Sequence, residues 1–76
     1  MISDKIKGLL AMSGRKEVEL AAYFGISPQS MHNKFSRGSF SGEDLIKIAD
    51  FLGVSFGFTL EDGQQIKLDK SDLRNK

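Results

Sequence analysis

The sequence predicts a mainly α-helical fold: four short helices followed by a C-terminal β-hairpin. Three observations carry that expectation. Apolar residues recur at helical spacing as far as Leu52, and glycines close the periodic stretches. After Gly53 the apolar period drops to two.

The first helix is expected over about 3–13, with Ser3 as its cap and Asp4 in the first turn, where a negative charge suits the helix dipole. Ile6, Leu9 and Leu10 form its apolar stripe. The second helix covers about 16–24, with Leu20 and Phe24 on one face, the small Ala21 beside them, and Gly25 as the terminator. The third covers about 28–37. Ser27 caps it, Pro28 takes the first helical position, and Ile26 and Met31 occupy the staple positions. Met31 and Phe35, four apart, are its inward face, and Gly38 ends it. The fourth covers about 42–52. Ser41 and Asp44 have capping-box spacing, Phe40 and Leu45 can staple, and Leu45, Ile48, Ala49 and Leu52 make its stripe.

The hairpin is expected within about 54–68. Phe56, Phe58 and Leu60 alternate, Glu61-Asp62-Gly63 turns, and Ile66 and Leu68 alternate again. A three-residue loop with Gly63 at positive φ pairs Phe58 with Ile66 and Phe56 with Leu68; a two-residue loop would mix the two faces. Residues 1–68 therefore read as one domain, and the polar residues 69–76 as a disordered tail.

Composition narrows the functions. The 76 residues include no cysteine, which excludes disulfides and thiolate metal sites and fits a cytoplasmic setting. No apolar run is long enough for a membrane span, and the N-terminus has no apolar region of signal-peptide type. Net charge is only +1, but its distribution is uneven. Residues 20–42 contain no Asp or Glu and hold His32, Lys34 and Arg37, whereas residues 43–62 hold five carboxylates against Lys47. A surface that meets DNA needs local freedom from anions more than a high overall charge.

The short link between the second and third helices has helix-turn-helix character. Ala21 permits a close crossing, and Gly25 supplies the positive φ of the bend. The stretch 18–54 resembles the phage Cro/repressor-type (XRE-type) helix-turn-helix family. The matching residues are Leu20-Ala21, Gly25-Ile26-Ser27, Gln29-Ser30-Met31, Arg37-Gly38 and the Leu45, Ile48, Ala49, Leu52 pattern. With the first helix included, the likeness extends over residues 3–54. It implies a lambda-repressor-like four-helix bundle that binds double-stranded DNA, often as a dimer, in a bacterial or phage transcriptional regulator. The hairpin in place of a last helix resembles Cro-like members.

With Met31 and Phe35 inward, Gln29, Ser30, Asn33, Ser36 and Arg37 point outward. Gln29, Ser30 and Asn33 are the candidate base contacts; the two amides have the donor and acceptor that adenine offers in the major groove. The resemblance places base-contacting residues at the same three positions. Arg15, Lys16, Ser27, Lys34 and Arg37 are the candidate phosphate contacts, which position a protein without reading sequence. The family usually starts its second helix with a Ser or Thr cap followed by Gln; here Lys16 and Glu17 stand instead, and Glu17 would repel a phosphate.

The rival reading is a helix-turn-helix fold that serves as a protein-interaction module without DNA binding. Phe56 and Phe58 could pack inward or pair across a homodimer, and a hairpin edge could accept a strand. Nothing in the sequence suggests an enzyme, a cofactor or a small-molecule ligand. Ser30 and His32, two apart on a helix, do not face each other, and Glu43-Asp44 reads as first-turn dipole partners.

Overall fold

In a computed structural model of the protein, which describes residues 1–74, four helices precede a two-stranded antiparallel sheet and a short 3-10 turn. Where the sequence suggests one domain over residues 1–68, close backbone approaches gather into two compact units, Met1–Ser41 and a second that begins at Gly42. The first contains α1 (Ile2–Met12), α2 (Glu17–Phe24) and α3 (Pro28–Arg37). The second contains α4 (Gly42–Leu52), β1 (Phe56–Thr59), β2 (Gln65–Leu68) and the turn Lys70–Asp72. No helix among the described residues is long and apolar enough to cross a membrane.

In the first unit α2 packs on α3 across the Gly25 bend. Leu20 and Met31 are fully buried, and Ala21 and Phe35 nearly so. Ile6 and Leu10 of α1 are also buried, while Leu9, the third member of the expected stripe, is exposed. Gly25 takes φ 70°, and the Ile26 N–H donates back to the Ala21 carbonyl at 3.0 Å. That closes the C-terminus of α2 and aims the chain into α3. Ser27 caps α3 through its Oγ, which accepts the Ser30 N–H at 3.1 Å, with Pro28 at the first helical position.

Ser3 departs from its expected role as a cap. The helix begins one residue earlier, and Ser3 lies inside it and buried. Its hydroxyl donates to the Phe35 carbonyl oxygen at 2.6 Å. A hydroxyl removed from water needs a partner, and the last turn of α3 supplies one. This bond ties α1 to the helix that carries the candidate site.

In the second unit Ile46, Ile48 and Ala49 are the buried face of α4. Leu45 and Leu52, expected in the stripe, are half-buried, so the face is rotated toward Ile46. Gly53 at φ 69° ends the helix. The strands pair Phe56 with Leu68 and Phe58 with Ile66, and Gly63 takes φ 93° in the three-residue loop. The register follows from keeping the apolar residues on one face. Within 69–76, the stretch expected as a disordered tail, Asp69 caps the turn Lys70–Asp72. Its Oδ1 accepts the Ser71 hydroxyl at 2.6 Å and the Ser71 N–H at 2.9 Å. Both bonds hold its carboxyl below the usual carboxylate range, so they stabilise the turn at neutral pH and are lost as pH falls through that lowered value. Residues 75 and 76 of the expected tail lie outside the described residues.

Candidate nucleic-acid interface

The outer face of α3 is built by the same periodicity that buries Met31 and Phe35. Once those two point inward, Gln29, Ser30, Asn33, Ser36 and Arg37 are all exposed. His32 is exposed as well. Ile26, Ser30, Asn33, Lys34, Arg37 and Ser39 line an open groove of about 280 Å³ along this face. It contains two cations and no carboxylate. Two of the three expected base-reading residues, Ser30 and Asn33, border it.

Several polar groups on this face have a definite arrangement. Gln29 Nε2 donates to Asn33 Oδ1 at 3.2 Å. The Ser27 hydroxyl donates to Ser30 Oγ at 3.0 Å while it accepts the Ser30 N–H. The Ser27 side chain is thus engaged as donor and acceptor within its own cap. Its backbone N–H lies at the positive end of the helix, where backbone N–H groups favour anions.

Lys34 and Arg37 are the basic residues of the last turn of α3, and their charge complements the C-terminal end of its dipole. Lys34 is held in place. Its Nζ donates to the Ser39 carbonyl at 3.1 Å and lies 5.7 Å from the centre of the Phe40 ring. Phe40 in turn packs edge-on against Phe35, with ring centres 5.1 Å apart. Lys34 therefore fastens the chain just beyond α3 while it keeps a positive charge beside the groove. Arg37 is exposed at the end of the helix, next to Gly38 at φ 67°.

The N-terminus of α2 differs from what residue types alone suggest. Lys16 stands at the cap position and has no side-chain oxygen to offer. Glu19 supplies one instead: its Oε1 accepts the Lys16 backbone N–H at 2.8 Å. The same oxygen lies 3.5 Å from Arg15 Nε. Sequence reasoning singled out Glu17 as the obstacle to a phosphate and missed Glu19. The signal was present, a glutamate three residues after the cap position, but it is usually sought behind Ser or Thr. Arg15 and Lys16 thus share this corner with a carboxylate already in place.

Of the remaining candidates, Phe56 is half-buried in β1 and Phe58 is 65% exposed. Ile66, opposite Phe58, is 58% exposed, and Leu60 is exposed too. The apolar face of the hairpin is therefore open at its loop end, where the sequence left inward packing or pairing across a dimer as alternatives.

Comparison with known proteins gives two matches. Residues 5–60 match the family model described as the bacteriophage CI repressor helix-turn-helix domain. The chain is 37% identical over 59 residues to the repressor protein CI of Enterobacteria phage phi80; the aligned stretch is 78% of this chain and 25% of that relative. The chain thus spans about a quarter of the relative's length. No solved structure matches it.

Proposed function

Because the chain belongs to the bacteriophage CI repressor helix-turn-helix domain family, we propose that it is a DNA-binding transcriptional regulator that recognises a specific double-stranded sequence through α3. The observation that carries this reading is the outer face of α3. It displays Gln29, Ser30, Asn33 and Arg37 to solvent, with no acidic side chain anywhere on the helix. A helix of this kind fits the major groove, where amides and hydroxyls meet base edges. Gln29, Ser30 and Asn33 read bases. Arg37, Lys34 and the N-terminus of α3 at Ser27 meet phosphates, with Arg15 and Lys16 at the edge of the contact.

The binding form in this reading is a homodimer, which acts in the cytoplasm without a cofactor or small-molecule ligand. Phe58, Leu60 and Ile66 present an apolar surface that a second copy of the chain can cover, with Phe56 at its margin. A two-fold dimer places two α3 helices in successive major grooves, so the site is a palindrome with half-sites about 34–36 Å apart.

Selection from random duplexes tests this directly, at about 50 mM and again at about 200 mM salt, where phosphate contacts differ strongly in strength. The expected result is a palindromic motif whose affinity falls steeply with salt. Absence of binding even at low salt would favour the protein-interaction reading. The observation on its side is the α2 N-terminus, where the Glu19 carboxylate accepts the Lys16 backbone N–H and sets a negative charge beside Arg15.

A further inference from the structure

Gln29 and Asn33 start four residues apart on α3, a rise of about 6 Å along the helix axis. Their amides nevertheless converge: Nε2 of Gln29 donates to Oδ1 of Asn33 at 3.2 Å. Successive bases on one DNA strand are spaced by about 3.4 Å. The two amides therefore sit side by side in direct contact on an exposed face, near enough to reach neighbouring base pairs.

The hydrogen-bond inventory shows what remains for DNA. A primary amide has two N–H donors and a carbonyl oxygen with two lone pairs. The contact uses one N–H of Gln29 and one lone pair of Asn33. Each amide keeps an oxygen lone pair and at least one N–H unused by this contact, the kinds of group that adenine N6 and N7 require. The contact also sets polarity. The Gln29 amino group faces Asn33, and the Asn33 carbonyl faces Gln29. Neither amide can turn over alone without placing two amino groups or two oxygens against each other.

We propose that Gln29 and Asn33 act as one reading unit that recognises two consecutive base pairs, with adenine favoured at both and the two choices coupled. This rests on the reading of α3 as the helix that enters the major groove. Guanine at the second position would set its O6 acceptor against Asn33 Oδ1 and be rejected. An independent pair of amides would lose one preference at a time. A coupled pair loses both when either member is removed, because the survivor is no longer held in orientation.

The test is selection of duplexes with the wild-type protein, Gln29→Ala, Asn33→Ala and the double variant. It is followed by affinity measurements on sites changed singly at each of the two positions. Both changed residues fall at exposed positions, and circular dichroism checks that each variant is folded. The wild type should enrich two adjacent adenines in each half-site. Each single variant should lose discrimination at both positions, by roughly 5- to 150-fold, and the double variant should lose little more than the worse single one. Losses confined to one position per variant, and multiplying in the double, would overturn the coupling.

Asn33→Asp provides a second readout. Its carboxylate still accepts from Gln29 but cannot donate to adenine N7. The second base should change to cytosine, whose N4 amine donates, while the first stays adenine. An unchanged adenine at the second position would overturn the proposal. A wild-type protein that binds no duplex removes the DNA reading and this inference together. One that binds a defined site with Gln29 and Asn33 acting independently removes the inference alone.

Discussion

Ser3 is the residue whose role depends most on the rest of the chain. Its hydroxyl is buried and hydrogen-bonded to a carbonyl 32 positions away. Ser3→Ala removes the donor and leaves the Phe35 oxygen without it, which should cost about 1–3 kcal/mol. Urea denaturation checks this: the midpoint should fall with an unchanged slope. Arg37 is the opposite case: it is exposed, and in the proposed reading its role is toward DNA. Arg37→Ala should weaken binding to all duplexes alike and reduce the dependence of log K on log salt by about one unit. An unchanged slope would remove Arg37 from the phosphate contacts. The exposed positions of α3 were legible from residue type and period alone. The tether of Lys34 to Ser39 and Phe40 was not, because it depends on where the chain turns after Gly38.

Among the elements, the N-terminus of α2 combines a structural and a functional demand. Glu19 closes that end of the helix, but its charge opposes any phosphate brought near Arg15 and Lys16. Glu19→Gln keeps a side-chain acceptor for the cap and drops the charge. It should leave the fold intact, raise affinity for DNA and steepen the salt dependence by up to about one unit, because a negative charge beside Arg15 and Lys16 is removed. Equal affinity and slope in the variant would place this corner outside the DNA contact. The hairpin has its own sensitive position. A Cβ on Gly57 would overlap the Ile66 carbonyl oxygen and lie 2.8 Å from Lys67 Cα, so the strands cannot stay paired around it. Gly57→Ala should abolish the cross-strand proton contacts between Phe58 and Ile66 in NMR spectra. Their persistence would show that the strands shift to admit the methyl group. Glycine in a strand often marks such a close approach of backbones, but sequence alone does not show which backbone approaches.

For the whole molecule, net charge is a poor guide and charge distribution a better one. A total of +1 hides an acid-free stretch over 20–42 beside an acidic one over 43–62. Assembly is the other property at this scale. Phe58 at 65% exposure contributes little to the monomer, so Phe58→Asp should leave the protein folded. It should lower the mass measured by sedimentation from dimer to monomer and remove the preference for palindromic over single half-sites. A variant that stays dimeric would move the interface away from the hairpin.

Features under local backbone control could be read directly from the residues. Ser27-Pro28 and Gly38 bound α3, Gly25 makes the bend, and the two-residue period with Gly63 sets the hairpin register. These signals act within a few residues of one another, so they can be read without knowing where the chain goes. Which polar groups become partners was decided only by the tertiary structure. Ser3 is buried against α3 instead of capping α1, and Glu19 acts for a lysine cap and draws in Arg15. Lys34 folds back on Phe40, and the buried face of α4 turns to Ile46. Burial and pairing depend on which distant or unlike groups arrive at the same place. Periodicity places a side chain on a face, and only packing decides what that face meets.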